Sequence, residues 1–291
     1  MTGSTKLWRR RTPLKGSGSL RSTRQSTRPF RTSRLPVAIL LVAGAGGCAS
    51  PPLTSLPLRS PPTLAGPLPG PVRTVVIDAG HGGHDPGTSH YGLKEKTLTL
   101  DIVRRLHRYL QDAGFRVVTT RDADQFIPLS RRPAIANRLR ADLFVSVHIN
   151  ANRNQGVSGI EVYYPRVSVV SSSAVWPPSV SPAEIGIPSM TVKQVLWDLV
   201  LRRTRSQSRR LASSVCRAMR DGLQIPCRGT KAARFVVLRE AWMPAVLVEV
   251  GYVTNQPEAR RLANAEYRQA AARSISEGIL AYSRELDGQD I

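Results

Sequence analysis

The sequence of 291 residues is poor in cysteine and aromatic residues and has no long apolar run. Its three cysteines are too few for a disulfide scaffold. Aromatic residues make up 5% and form no base-stacking pattern, so we expect no nucleic-acid partner. No apolar stretch reaches the roughly 18–20 residues that span a bilayer. Hydrophobic residues at 41% and charged residues at 21% are ordinary globular usage, which excludes a wholly disordered or fibrous chain.

Positive charge is plentiful but unevenly distributed. The chain holds 42 basic and 20 acidic residues, a net charge of +22. Segment 1–34 carries ten basic residues and no acidic residue, whereas 72–291 carries 31 basic and 20 acidic residues. A charge this high often indicates a polyanionic partner. Half of the net charge of this chain, however, lies outside the part that we expect to fold.

The first 48 residues have the order of an export signal. A basic segment is followed by the apolar run LPVAILLV at 35–42, then by small residues and Cys48. The cysteine at the end of this region resembles a bacterial lipoprotein signal, in which that cysteine becomes the lipidated first residue. An ordinary signal peptide with an incidental cysteine is the alternative. We expect an exported protein of the periplasm or cell envelope, attached to a membrane only through a lipid on Cys48.

Residues 49–71 are rich in proline and contain no acidic residue. Proline cannot supply the backbone donors of a helix or a central strand, so this segment is predicted to be an extended tether. The folded domain is expected over residues 72–287.

Strands and helices alternate in this predicted domain. Short β-branched runs predict strands at 73–78, 115–120, 142–148, 159–164, 234–238 and 245–250. Helical spacing of apolar residues predicts helices at 95–113, 129–140, 191–221 and 257–286. This alternation predicts an α/β fold with a single three-layer α/β/α domain.

Residues suited to bind a metal stand at the predicted ends of these elements. His81 follows the first strand, His148 ends the third strand and Glu95 begins the first helix. Strand ends converge at one edge of such sheets, and two imidazoles with one carboxylate leave an open zinc position, as catalysis requires. Each residue alone also has a plain structural interpretation as a hydrogen-bonded histidine or a helix-start glutamate. His84, three residues from His81, is a rival ligand.

Glu249 lies inside the otherwise apolar run AVLVEV. A buried carboxylate costs roughly several kcal/mol unless it is paired, protonated or bound to a metal. If Glu249 faces the metal, it is a general base for the attacking water. Strand neighbours point to opposite faces, so an exposed position on an edge strand is the alternative.

Several separated motifs in one order resemble a known family. They are VVIDAGHGGHDPG at 75–87, GLKEK at 92–96, TTRD at 119–122, ADLFVSVHINA at 141–151, GIEVYY at 159–164 and MPAVLVEVGYVTN at 243–255. From residue 73 to about 283 the chain resembles the zinc-dependent N-acetylmuramoyl-L-alanine amidases of the amidase type 3 family, which are bacterial cell-wall and division hydrolases.

The resemblance implies a mixed, largely parallel sheet and one Zn²⁺ held by His81, Glu95 and His148, with Glu249 as the catalytic glutamate. It implies hydrolysis of the amide bond between N-acetylmuramic acid and L-alanine of peptidoglycan, in wall turnover or daughter-cell separation. Residue types alone leave open a zinc peptidase or carboxypeptidase acting on peptidoglycan. A non-catalytic wall-binding lipoprotein is the alternative from another class. Peptidoglycan is the partner that we expect, and an activator protein is a further candidate.

Two segments bear on regulation. Residues 166–190 are longer than the simplest members of the resembled family need, and some division amidases carry an inserted element that occludes the zinc. This insert is short and contains Trp176 before two prolines, so we expect a rim loop with weak or no autoinhibition. Segment 202–234 holds ten basic residues against Asp221 alone. We expect this basic segment to contribute to wall binding, the alternative being a solvated helix face.

Cys216 and Cys227 lie eleven residues apart. A disulfide fits an oxidising compartment, and two unpaired thiols are the alternative. We favour unpaired thiols because the sequence does not give their separation in space.

Overall fold

The computed structural model describes residues 72–166 and 190–287. Its strands are β1 Thr74–Ala79, β2 Ser89–His90, β3 Leu93–Lys94, β4 Arg116–Thr119, β5 Leu143–Asn150, β6 Ile160–Pro165, β7 Cys227–Ala233 and β8 Ala245–Tyr252. Its helices are α1 Glu95–Asp112, α2 Arg131–Leu139, α3 Met190–Leu223, α4 Val236–Arg239, α5 Gln256–Ala263 and α6 Ala265–Asp287.

Six strands form one mixed sheet in the order β4-β1-β5-β8-β6-β7. Strands β4, β1, β5 and β8 run parallel to one another. Strand β6 is antiparallel to β8 and parallel to β7, so β6 and β7 start at the edge where the other four end. The predicted α/β fold with a mixed, largely parallel sheet is confirmed.

Helices cover both faces of this sheet, which makes the three predicted layers. One face packs on α1, α3 and α6, and the other packs on the smaller layer of α2 and α4. Residues of β5 alternate between the two cores, with Val145 and Val147 on the first and Phe144 on the second. The second layer is short and leaves the carboxyl end of β5 uncovered on that face, where His148 is only partly buried.

The amphipathic patterns predicted for two helices are confirmed. In α1 the residues Leu98, Ile102, Leu106 and Leu110 are buried. In α6 the buried face consists of Ala271, Ile275, Ile279 and Tyr282, with Tyr267 partly buried beside it. Burial of these apolar stripes, at about 25 cal/mol per Å² of apolar surface, holds both helices against the sheet.

The predicted strand at 234–238 is wrong. Strand β7 lies earlier in the chain, and the apolar run after it forms the one-turn helix α4, in which Val237 and Leu238 are buried. The β7 sequence CRGTKAA has almost no β-branched character. Its backbone pairing with β6 therefore makes it a strand, a case in which tertiary context overrides local propensity.

The expectation of unpaired thiols is also wrong. Cys216 of α3 and Cys227 at the start of β7 form a disulfide, with their Cα atoms 5.8 Å apart. Helix α3 ends at Leu223 and the chain turns at once into β7, so the last turns of the helix lie beside the strand. The sequence separation alone could not show this turn.

The export signal at 1–48, the tether at 49–71 and most of the insert at 166–190 lie outside the described residues. Within the ranges 72–166 and 190–287, none of the helices combines the length and apolarity needed to cross a membrane.

Candidate active site

The loop after β1 holds His81 in an unusual backbone conformation. Its φ angle is 61°, in the left-handed region that costs a non-glycine residue about 1–3 kcal/mol. Two buried arginines hold this loop through its carbonyl groups. Arg132 donates to the carbonyl of His81 at 2.9 Å, and Arg121 donates to the carbonyls of Ala79 at 3.0 Å and Gly80 at 2.9 Å.

A fully buried carboxylate fixes one of these arginines. Asp78 accepts hydrogen bonds from Arg132 at 2.9 Å and from the hydroxyls of Ser146 and Thr120 at 2.6 Å each. Burial alone would raise the pKa of Asp78, but Arg132 and the two hydroxyls together hold it below its ordinary value. Asp78 therefore stays ionised, and the strained loop is tied to the centre of the sheet.

Three side chains converge beyond this loop. Glu95 Oε2 lies 3.2 Å from Nε2 of His81, and Glu95 Oε1 lies 3.0 Å from Nδ1 of His148. One atom from each of the three residues lies within 4.8 Å of the others. A Cβ atom on Gly80 would stand 2.4 Å from the His148 ring, so only glycine allows this close approach.

The donor set fits a metal ion. Zinc binds imidazole nitrogen and carboxylate oxygen at about 2.0–2.2 Å, which places ligand atoms about 3–4 Å apart. The two histidine–glutamate distances have that size. Burial would raise the pKa of Glu95, but hydrogen bonds from His148 and His81 lower it by more than burial raises it. Glu95 is therefore anionic. The predicted convergence of these three residues is confirmed in position, and their role as ligands is taken up below.

Asp85 sets the orientation of the His81 ring. Its Oδ2 lies 2.7 Å from His81 Nδ1, and its Oδ1 accepts the backbone N–H of Gly87 at 3.0 Å. With a metal bound, a proton kept on Nδ1 and directed at this carboxylate would leave the lone pair of Nε2 for the ion. The rival ligand His84 is exposed and stacks on Phe126 with ring centroids 4.1 Å apart, so it does not join the cluster.

Glu249 lies in a central strand beside this cluster. Strand β8 lies between β5 and β6, and Glu249 is half-buried and pairs with His148 in the parallel register. Paired residues on neighbouring strands share a face of the sheet about 4.8 Å apart. The alternative of an exposed edge-strand residue therefore does not hold, and Glu249 occupies the position expected of a base next to the cluster.

A second glutamate lies beside Glu249 on the next strand, and the two form a row of glutamates across the sheet. Glu161 of β6 pairs with Glu249 in the antiparallel register and is buried. It accepts hydrogen bonds from Lys231 at 2.5 Å, Tyr163 at 2.5 Å, Asn150 at 3.2 Å and Arg228 at 3.3 Å. Burial would raise the pKa of Glu161, but hydrogen bonds from Lys231 and Tyr163 lower it by more than burial raises it. Glu161 is therefore ionised.

Sequence reasoning assigned no role to several of these residues. The set is Asp78, Asp85, Arg121, Arg132 and Glu161. Glu161 had the same signal as Glu249, an acidic residue inside the apolar strand IEVYY. Arg121 lies in the TTRD motif, but the sequence around it and around Arg132 does not show their roles, because their partners are backbone carbonyls distant in sequence.

This α/β domain carries a His–Glu–His cluster at one edge of its sheet, and another glutamate is in register with the cluster. These are the features of a metal-dependent hydrolase. Comparison with known proteins narrows this class. The profile of the N-acetylmuramoyl-L-alanine amidase family matches residues 75–281. The chain therefore belongs to this family of peptidoglycan amide hydrolases.

Individual relatives agree with this assignment. N-acetylmuramoyl-L-alanine amidase AmiA of Escherichia coli K12 is 35% identical over 228 residues, covering 75% of this chain and 78% of AmiA. The solved amidase AmiC2 of Nostoc punctiforme is 36% identical with a TM-score of 0.57, over 73% of this chain and 97% of AmiC2. An amidase structure from Clostridium difficile 630 is 30% identical with a TM-score of 0.57, over 73% and 97% of the two chains.

Proposed function

We propose that this protein is a zinc-dependent amidase that cleaves the bond between N-acetylmuramic acid and the L-alanine of peptidoglycan stem peptides. His81, Glu95 and His148 would hold one Zn²⁺, and Glu249 would serve as the general base. The observation that carries the proposal is the register of His148 with Glu249, which places a carboxylate one strand away from the cluster.

The chemistry divides between the metal and the chain. Zinc bound there would polarise the amide carbonyl and lower the pKa of the attacking water toward about 7. Glu249 accepts a proton from that water as its oxygen bonds to the carbonyl carbon. The same carboxyl then delivers the proton to the nitrogen of L-alanine as the carbon–nitrogen bond breaks. The products are a muramic acid carboxylate and a stem peptide with a free amino terminus.

The products decide between this reaction and the alternatives. Purified protein is incubated with peptidoglycan, and the released material is identified by mass spectrometry alongside zinc content by elemental analysis. An amidase releases stem peptides that begin with L-alanine, whereas a carboxypeptidase releases a single D-amino acid. A zinc-loaded protein that binds the wall but releases nothing would support the non-catalytic lipoprotein and contradict the proposal.

Export and anchoring are a further part of the proposal, supported by the order of residues in 1–48. Lipidation of Cys48 with two or three acyl chains would hold the protein stably at a membrane, where one chain is marginal. Cys48→Ala should move the protein from the membrane fraction to the soluble fraction, and Ser50→Ala should leave it in place. An unmodified amino terminus in the parental protein would contradict the lipid anchor.

The resting site is proposed to be open, without a requirement for an activator, because the insert at 166–190 is short. Deleting 168–188 should then change the rate of peptidoglycan hydrolysis by less than about twofold, since the cluster and Glu249 lie on other elements. A large gain in rate on deletion would show that the insert occludes the site and would favour an activator protein as partner.

A further inference from the structure

Strand β7 places two basic side chains next to the row of glutamates. Arg228 and Lys231 both bind Oε1 of Glu161, whose own side chain is only 3% exposed. The basic side chains themselves are 44% and 43% exposed. Two cations share one buried anion, so the group formed by Arg228, Lys231 and Glu161 carries a net positive charge at the protein surface.

Both cations keep hydrogen-bond donors for another partner. An ammonium group has three donors, and the described contacts of Lys231 use one of them, on Glu161. A guanidinium group has five N–H donors. Arg228 directs its Nε toward Glu161 at 3.3 Å and its Nη1 toward the carbonyl of Ser158 at 3.3 Å. The described contacts thus leave its Nη2 group for a ligand.

The pair lies close to the reaction centre of the proposed function. Lys231 pairs with Tyr163 in register and therefore lies on the same face of the sheet as Glu161 and Glu249. Its ammonium reaches Glu161, which is one strand spacing, about 4.8 Å, from Glu249. An extended peptide residue covers about 3.3–3.6 Å. A group one or two residues beyond the cleaved amide can therefore reach the pair.

The surroundings make this a built site. Tyr163 donates to Glu161 at 2.5 Å, and burial together with this bond raises the pKa of Tyr163, so the hydroxyl stays a donor. The Tyr163 ring packs edge-on against Phe235 at 5.1 Å and lies 6.0 Å from the Lys231 ammonium. The disulfide at Cys227 fixes the start of β7 to α3, directly before Arg228.

We propose that Arg228 and Lys231, held by Glu161, bind a carboxylate of the stem peptide and give the enzyme a preference for acidic over amidated stems. This inference rests on the proposed function. Without the two cations, a substrate carboxylate would meet Glu161 and Glu249 and be repelled. With them, it gains charge-assisted hydrogen bonds that a neutral carboxamide makes more weakly.

Two small substrates test this preference. One is N-acetylmuramoyl-L-alanyl-D-glutamate, and the other is the same compound with both carboxyl groups converted to carboxamides. We expect kcat/KM about tenfold higher for the diacid, the size of one charge-assisted hydrogen bond. Both compounds also serve as competitors of peptidoglycan hydrolysis, in which the diacid should inhibit at about tenfold lower concentration.

Variants separate recognition from indirect effects. Lys231→Met and Arg228→Gln should lower the diacid-to-diamide ratio toward one, and Lys231→Arg should keep it. A change transmitted through Glu161 to Glu249 would alter both substrates equally and leave the ratio intact. The matched control is Arg217→Gln. Arg217 is an exposed arginine on α3, which lies in the layer on the other face of the sheet, so this variant should leave the diacid-to-diamide ratio unchanged.

The outcomes distinguish this proposal from the one on which it rests. Equal turnover of the two substrates and equal inhibition by them would overturn the subsite while leaving the amidase function standing. A parental preference that survives both Lys231→Met and Arg228→Gln would also overturn it. If the parental protein cleaves neither substrate and does not hydrolyse peptidoglycan, the proposed function itself fails.

Discussion

Nδ1 of His81 and Oδ2 of Asp85 lie 2.7 Å apart on opposite sides of one tight loop, while Nε2 of the same ring faces Glu95. One histidine thus contacts two carboxylates: Asp85, which orients the ring, and Glu95, which belongs to the His81–Glu95–His148 cluster. Burial would lower the pKa of His81, but Glu95 and Asp85 raise it above its ordinary value. The loop is built to present Nε2 in a fixed direction.

The first prediction concerns this orienting contact. Asp85→Ala should weaken zinc binding by about 10–100-fold, because the His81 ring loses the partner that fixes its tautomer and direction. Zinc affinity is measured by competition with a chromogenic chelator. Asp221→Ala, an exposed acid on α3, serves as the control and should leave the affinity unchanged. Equal affinities in all three proteins would contradict a role for Asp85 at the metal.

The second prediction separates metal binding from proton transfer. Glu249→Gln should retain zinc but lose about 10²–10⁴-fold in the rate of peptidoglycan hydrolysis, since only the base is removed. His81→Ala should lose both zinc and activity. Zinc content and released stem peptides are measured on the same preparations. Parental turnover in the Gln variant would exclude Glu249 as the base.

The third prediction is a pH dependence of stability. The pKa of Asp78 in the folded state lies below its ordinary value of 3.8, so its ion pair with Arg132 stabilises the fold above about pH 4. That stabilisation is lost as the pH falls through the folded-state pKa. Asp78→Asn should cost about 3–5 kcal/mol in the free energy of unfolding at pH 7, because Arg132 remains buried without its partner.

Urea unfolding at pH 7 and at several values below pH 4 checks this prediction. The difference between the parental protein and Asp78→Asn should shrink as the pH falls. Asp142→Asn offers a control on a more exposed carboxylate, which accepts backbone N–H groups of Arg73 and Thr74 and has no arginine partner among the described contacts. A difference that stays constant with pH would show that Asp78 acts through packing and not through its charge.

Sequence patterns were sufficient for the parts of the fold that are governed by burial. Strand β5 and the apolar stripes of α1 and α6 follow directly from periodicity. His81, Glu95 and His148 converge because parallel strands end at one edge, a general property of such sheets. Glu249 was identifiable because a carboxylate inside an apolar strand requires a reason.

The remaining features depend on contacts that the sequence does not display. Strand β7 is held by backbone pairing with β6, and its side chains carry no strand signal. Arg132 acts on the carbonyl of His81 from 51 residues away. The ten basic residues of 202–234 also divide in space. Seven lie on α3 in the helical layer, Arg228 and Lys231 lie on β7 beside Glu161 of β6, and Arg234 follows β7.

The fourth prediction concerns the disulfide. Removing it with Cys216→Ala and Cys227→Ala should lower the free energy of unfolding by about 2–4 kcal/mol, the usual contribution of such a bond. The parental protein should show the same loss when unfolded in the presence of a reductant, and the double variant should be insensitive to reductant. Two thiols that react with a labelling reagent in the native, unreduced protein would contradict the bond.

The reversed direction of β6 has a consequence for how this domain can be varied. Because β6 starts beside Glu249, it ends at Pro165 about 13 Å further along the strand, at the sheet edge away from the cluster. The chain therefore leaves β6 at that distant edge. We expect that residues can be added or removed after Pro165 without altering the spacing of the His81–Glu95–His148 cluster and Glu249. A binding module or a reporter domain inserted after Pro165 is therefore expected to leave the geometry of that cluster intact.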